Sequence, residues 1–245
     1  MDVMKAFMAI LSLPQSAADH IDAVAVPVGQ GEEWRLTHAI RRWEANPGIS
    51  YLLVANGNPT EKTYHRITLP YLRRLGLRRL DGVHLQAEPA PNTGLQGAWI
   101  ASQVEALGIT SLALSVSPYH LPRVYLTVLK ALSRSGICIP LIPDPVPVPP
   151  DTAAPETQAT AYDLLAGEAE RILTYTTTEW VASLDELQGY LQWLWSDHKT
   201  LLTKPRPETT GHRAVPSLGR PASLVNGDAS GLPDPPARPG EPGAT

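Results

Sequence analysis

The residues best suited to chemistry sit together in one turn, Ser117-Pro118-Tyr119-His120-Leu121-Pro122-Arg123. Histidine titrates near neutrality and is the usual general acid or base. Arg123 carries a planar fork that matches phosphate or carboxylate. His120 lies between two prolines, which makes the loop rigid, and Pro122 suits the first turn of a following helix. Ser117 adds a hydroxyl. Together they offer proton transfer beside a bound anion, although a loop histidine with a purely structural role fits the same residues.

Three other junctions carry polar residues at comparable places. In Val28-Gly29-Gln30-Gly31-Glu32, Gly29 and Gly31 let the backbone approach a ligand, and the start of a helix favours an anion. Arg35, one turn on, could reach that anion; an ordinary tight turn with a surface arginine reads equally well. The G-x-G lacks the third glycine of a dinucleotide fingerprint, so conventional NAD binding is not expected. In Asn56-Gly57-Asn58-Pro59-Thr60-Glu61, Thr60 reads as an N-cap. Glu61 either complements the helix dipole or points into a cleft as a base or hydroxyl ligand. In the third, Asn92 or Thr93 either caps a helix or touches ligand, and Gln96 can donate or accept but cannot act as a base.

The elements that must position these residues follow from periodicity. Apolar runs at Asp22–Val28, Tyr51–Ala55, Gly82–Gln86, Ser111–Val116 and Ile137–Ile142 have the near-continuous apolar content of strands buried on both faces. Between them, Glu32–Asn46, Glu61–Leu75, Thr93–Leu107 and Pro122–Ser135 show the helical period. Gly48, Gly76, Gly108 and Gly136 follow as stop signals. Such alternation predicts a Rossmann-like α/β sandwich with about five parallel strands. Ligands of such sheets bind outside the carboxyl ends of the strands, where all four junctions fall.

Around this core the chain divides into an N-terminal helix (1–20), the Rossmann-like domain (21–142), a Pro-rich connection (143–157), C-terminal helices packing on the domain (158–202) and a tail (203–245). Met1, Met4, Phe7, Met8 and Leu11 have the spacing of an amphipathic helix docked on the domain. The same segment has some features of a secretion signal, but Asp2 beside Lys5 and a short apolar core argue against one. Prolines from Pro140 to Pro155 exclude helix and predict a stiff connection crossing the rim of the cleft. Helices are expected over Thr160–Tyr175 and Ser183–Leu202. The second carries Leu184, Leu187, Tyr190, Leu191, Trp193, Leu194 and Trp195, which must pack on the domain or form a homodimer interface. Beyond Thr203 the Pro, Gly, Ser and Ala content predicts disorder.

Composition sets further limits. With 245 residues, 43% of them hydrophobic, the chain can bury a substantial core. A net charge of -4 gives no field to recruit nucleic acid. Arg73, Arg74, Arg78 and Arg79 form a local basic patch that reads as dipole partners or a solvated face. Cys138 is the single cysteine, which leaves no disulfide framework and suggests a small buried hydrophobe. No histidine pair has metal-ligand spacing with a carboxylate partner, so no metal is predicted. No run approaches the ~20 apolar residues that span a bilayer, and a cytoplasmic location is expected.

These features resemble the YdcF/SanA/ElyC-type proteins, the bacterial domain-of-unknown-function family 218. The family's pattern falls here on Gly29 and Gly31, Arg35, Gly57 and Glu61, Asn92 and Thr93, then Ser117, His120 and Arg123, over roughly Asp22 to Ile142. The segment from Gly167 to Leu173, with Glu168 and Arg171, is similar to one that follows the domain in some relatives. The chain departs from the pattern in its VGQG turn, in Leu95-Gln96 where Glu-Asn is usual, and in Val124 where alanine is usual. The resemblance implies a Rossmann-like fold, with S-adenosylmethionine binding in one branch and envelope or lipid-carrier metabolism in others. The expectation is an enzyme, a hydrolase or transferase, acting on a phosphorylated or nucleotide-like small molecule. His120 and Glu61 would do the chemistry, and Gly29, Gly31, Arg35, Gly57, Asn92, Thr93, Gln96, Ser117 and Arg123 would hold the ligand. A nucleotide or S-adenosylmethionine binding module and a degenerate scaffold are the alternatives.

Overall fold

The computed structural model describes residues 2–203. Five parallel strands, β1 (Ala23–Pro27), β2 (Tyr51–Ala55), β3 (Val83–Leu85), β4 (Leu112–Val116) and β5 (Leu141–Pro145), form one sheet in the order β3-β2-β1-β4-β5. β1 pairs Val24 with Leu52 on one side and with Ala113 on the other, so the winding direction reverses between β1 and β4. β1 and β4 are buried throughout, as their unbroken apolar runs require. The flanking helices are α1 (Val3–Leu11), α2 (Glu33–Ala45), α3 (Leu69–Arg74), α4 (Thr93–Leu107), α5 (Leu121–Arg134), α6 (Ala161–Thr177), α7 (Leu184–Asp197) and α8 (Lys199–Thr203). The chain thus has the Rossmann-like α/β layout its periodicity predicts, with a crevice at the carboxyl ends of β1 and β4.

Helices α4 and α5 pack on each other, and Gly97 makes that approach possible: a Cβ there would lie 3.0 Å from Thr127 Cγ2. Arg79 meets the basic-patch expectation in an unforeseen way. Its guanidinium donates to the carbonyls of Trp43, Asn46 and Ile49 around the end of α2 and stacks 3.4 Å from the Trp43 ring centroid. A cation there satisfies carbonyls that the helix leaves free.

Several expected elements are displaced. The helix predicted over Glu61–Leu75 is only Leu69–Arg74, with Thr68 as N-cap and Pro70 in its first turn. The Asn58 side chain accepts from the Thr60 N–H and hydroxyl, which fixes a local turn, so Thr60 caps no helix and Glu61 and His65 lie in a loop. The last strand is Leu141–Pro145 rather than Ile137–Ile142 and runs into the Pro-rich segment. Ile142 and Asp144 pair toward β4, which turns Leu141, Pro143 and Pro145 toward the open edge. Proline has no N–H to leave unpaired there. Two tyrosines cover edge groups at the start of β5: the Tyr190 hydroxyl of α7 accepts from Leu141 N at 2.6 Å and donates to Ile139 O at 3.0 Å, and Tyr125 of α5 donates to Leu141 O at 2.9 Å.

The late helix divides into α7 and α8 at His198, and Leu187, Tyr190 and Leu194 are buried within the chain. α1 buries Val3, Ala6, Phe7 and Ile10, whereas Met4, Met8 and Leu11, expected to face the domain, are exposed. Cys138 is exposed rather than buried, because the strand begins at Leu141, four residues later than its apolar run suggests. Among the described residues no helix is long and apolar enough to cross a membrane, and no cluster of three or more His, Cys, Asp or Glu could hold a metal. The tail expected to be disordered, with His212, lies outside the described residues.

Candidate functional site

Two arginines meet at the crevice, one from each central strand's following helix. Arg35, in the first turn of α2, is 2% exposed. Its guanidinium pairs with Glu32 and donates to Ser117 Oγ at 3.1 Å and to Pro27 O at 3.4 Å. Ser117 Oγ also accepts from Trp34 Nε1 and donates to Glu32 Oε1, and Tyr119 donates to the same carboxylate oxygen. Ser117 keeps no donor for a ligand, and Arg35 keeps a single Nη1 hydrogen. Both were expected to bind a ligand, and the bonds they make pin the β1 turn to the β4 turn.

The other arginine, Arg123, lies in the first turn of α5 and is also buried, but its surroundings open onto a cavity of about 250 Å³. Its Nε and Nη2 clasp both oxygens of Glu168, and Nη1 donates to Thr93 Oγ1 at 2.8 Å. Arg171 Nη1 reaches Glu168 Oε1 at 2.7 Å from one turn along α6. Against the penalty of burial, His120 and Arg123 hold the Glu168 carboxyl well below the usual range, so it is ionised.

His120 completes this cluster. Its Nδ1 lies 3.1 Å from Glu168 Oε2 and 3.0 Å from Arg123 Nη2. An acceptor and a donor are therefore both within reach, and either neutral tautomer can be held. Burial pushes its pKa down to about 3, Arg123 adding to the effect and Glu168 opposing it. The imidazole is 5% exposed and neutral across ordinary pH, and it lines the cavity. Nε2 has no hydrogen-bond partner among the described residues, so the free nitrogen is the one available to a ligand.

The rest of the cavity wall comes from the other junctions. Asn92 is the N-cap of α4, its Oδ1 accepting from Leu95 N at 3.0 Å, which leaves the N–H groups of Thr93 and Gly94 without intrahelical partners. Gln96 donates both amide hydrogens, to Val28 O at 2.7 Å and Asn56 O at 2.8 Å, and so ties the ends of β1 and β2 together. Glu61 lies on the opposite side of the cavity. Its Oε2 accepts from Gln30 N at 2.6 Å, and burial raises its pKa while that hydrogen bond opposes the rise.

That geometry corrects the first junction. Glu61 takes the N–H of Gln30, and Glu32 and Glu33 open α2, so the glycine turn presents carboxylates where an anion was expected. Gly31 has φ +69° and a Cβ there would lie 2.8 Å from Thr63 Cβ and 3.0 Å from Pro155 Cβ. Its role is to let the Pro-rich connection cross the rim. The crossing is fixed by Glu156, whose N–H donates to Gln30 O and whose carboxylate accepts from Lys62 N, Thr63 N and Thr63 Oγ1. Gly57 packs against Val28, with a Cβ position 3.4 Å from Val28 Cγ2, and faces a neighbouring cavity.

The structure therefore brings His120, Arg123, Arg35, Glu61, Gly29, Asn92, Thr93 and Gln96 to one cavity, and places Gly31, Gly57 and Ser117 elsewhere. Sequence reasoning assigned no role to Glu168, Arg171 or Tyr175, which α6 delivers to the same wall. A signal existed. Glu168 falls in the inward stripe with Leu164 and Ile172, and a carboxylate in an apolar stripe needs a buried partner.

A five-stranded parallel sheet with its site at the switch point is the Rossmann-like class of α/β proteins. No protein-family model matches the chain, and no curated protein matches it either. Crystal structures of the Bordetella bronchiseptica enzyme WbmG, in complex with NAD and with NAD and UDP, are similar to it at 16% and 15% identity. Both have a TM-score of 0.32 and align over 63% of this chain. The chain spans about half the length of that enzyme, 49% and 50% in the two comparisons. A likeness this slight bears on neither ligand nor reaction.

Proposed function

We propose that the chain is an enzyme, a hydrolase or transferase, that acts on a phosphorylated small molecule held at the α4–α5–α6 end of the cavity. The observation that carries this reading is the buried, neutral His120, clamped on one edge by Glu168 and Arg123, with Nε2 free toward the cavity. Around it stand donors: the free N–H groups of Arg171, the remaining Nη1 hydrogen of Arg123 and the start of α4. Such a set favours an anion.

Glu168 would orient His120 with its proton on Nδ1, which leaves Nε2 to take a proton from water or an attacking hydroxyl. The tautomer held by Arg123 would instead present Nε2–H as a hydrogen-bond donor to a phosphate or leaving oxygen, with no transfer of its proton. A bound phosphate would offset the Arg123 charge that adds to burial in depressing the His120 pKa, and so move that pKa upward. Glu61, across the cavity, would hydrogen-bond a hydroxyl of the ligand. The same donors would suit the carboxylate of S-adenosylmethionine, the cofactor implied by the resemblance to YdcF/SanA/ElyC-type proteins, and that membership is itself part of the proposal.

The test is a thermal-shift and turnover screen of phosphomonoesters, nucleotides and S-adenosylmethionine. Ligand at 100 times its Kd should stabilise the protein by ~2.7 kcal/mol. At the same ligand concentration Arg171→Ala should cut the shift to about half, and His120→Gln should keep binding and abolish turnover. Binding with no turnover by the wild type would replace the enzyme with a binding module. No shift from any phosphate-bearing compound would end the anion reading.

A further inference from the structure

A second cavity of about 330 Å³ lies directly beside the first, and the two share Val28, Gly29 and Glu61 in their walls. Its character is different. Leu36 and Ile67 supply apolar surface, and one side is formed by the rings of Tyr71 and His65, stacked with centroids 6.2 Å apart and planes 26° apart. No arginine lines it. Its available carboxylates are Glu33 and Glu61, since Glu32 is spent on Arg35, Ser117 and Tyr119, and Lys62 lies toward the loop. Tyr71 is held as a neutral phenol, its pKa pushed up to about 12 by burial and by Glu33 beside it.

An apolar slot with a flat aromatic side accepts a ring, and aromatic contacts reward stacked or edge geometry. Carboxylates at its edge reject phosphate and accept hydrogen bonds from amino groups. Between the cavities stands Glu61, half-buried and held by Gln30 N. Gly29 lies beside it in both walls, and a Cβ there would make only an ordinary contact, 3.6 Å, with Glu61 Oε1. Two expected ligand residues of the first cavity, Gly31 and Gly57, line this second one instead.

We propose that this second cavity binds a planar, amino-bearing aromatic ring belonging to the same molecule whose anion sits against Arg123 and Arg171, with a hydroxyl-bearing link passing Glu61. The substrate class is then a nucleoside phosphate rather than a simple sugar phosphate or a lipid phosphate. This rests on the anion site proposed above.

Titration calorimetry with adenosine 5′-monophosphate, ribose 5-phosphate and adenosine separates the two proposals. In the wild type, adenosine 5′-monophosphate should bind about tenfold more tightly than ribose 5-phosphate, the scale of one good aromatic contact. Tyr71→Ala should shrink that ratio to about threefold or less while ribose 5-phosphate binds as before, which also shows that the variant is folded. Equal affinity for the two phosphates in the wild type overturns the ring compartment and leaves the anion site standing. A ratio that survives Tyr71→Ala places the ring elsewhere and likewise overturns it. Adenosine binding without ribose 5-phosphate binding supports the ring compartment and overturns the anion site. No binding of any of the three overturns both.

Discussion

Arg35 and Arg123 occupy matching places, each in the first turn of the helix that follows a central strand, each buried and each paired with a glutamate. They differ in what surrounds the pair. Arg35 is closed in by Glu32, Ser117, Tyr119 and the carbonyl of Pro27, all from the two turns it joins. Arg123 is paired from a distant helix, beside a histidine with an unused nitrogen and a second arginine whose side chain is 47% exposed. Residue type and position are the same; the neighbours, a second arginine and a histidine with an unused nitrogen, decide which arginine serves a site and which is chiefly a pin.

The largest effects should come from removing either carboxylate. Glu168→Ala and Glu32→Ala each leave a buried guanidinium without its partner and should lower the unfolding free energy by about 3–5 kcal/mol, read by urea denaturation. Comparable losses at both would show that the two pairs are equal as structure; a negligible loss at Glu32 would break the comparison.

Acid should distinguish them next. His120 has a depressed pKa in the folded protein, so the unfolded chain binds its proton first as pH falls. Stability from this group is full above the unfolded pKa of 6.5 and declines toward about 3. The slope is ~1.4 kcal/mol per pH unit within that window. His120→Gln should flatten the upper part of that window, above the carboxylate range, where the Arg35 cluster, which contains no histidine, should contribute no such slope. Unchanged pH dependence in His120→Gln would mean that the imidazole is not buried as a neutral group.

Smaller changes sharpen the contrast in binding. Ser117→Ala removes the shared oxygen of the Arg35 pin and should cost about 1–3 kcal/mol of stability without altering phosphate affinity. Arg171→Ala should do the reverse, weakening phosphate about tenfold while stability changes by about 1 kcal/mol or less. The smallest effect is expected at Glu61. Its raised pKa means that the charged form is disfavoured on folding, so stability is lost as pH rises through that pKa. Glu61→Gln, which can still accept from Gln30 N, should therefore be slightly more stable at neutral pH and indistinguishable in acid, a difference that paired thermal melts would register.

The strands at 51–55 and 112–116 and the helix at 93–107 are legible because burial on both faces and an unbroken 3.6-residue period leave one solution each. The stretch from Glu61 to Leu75 misleads because its apolar spacing is helical, yet Asn58 and Glu156 satisfy its early backbone with side chains and delay the helix to Leu69. β5 hides in a proline run because the rule against proline in strands assumes two neighbours, and an edge strand has one. At the site, the Ser117–Arg123 turn announces His120 and Arg123, but nothing local tells their environment from that of Arg35.

The sequence by itself determined the parallel sheet, the junctions at its carboxyl ends and the candidate residues there, since periodicity and turn chemistry are local properties. Only the tertiary structure decided which of those residues face a ligand. Glu168 and Arg171 arrive from a helix more than forty residues beyond His120, and Glu61 reaches back to the first turn. Whether a charged side chain is a pin or a site depends on partners that only the folded chain brings within hydrogen-bond distance.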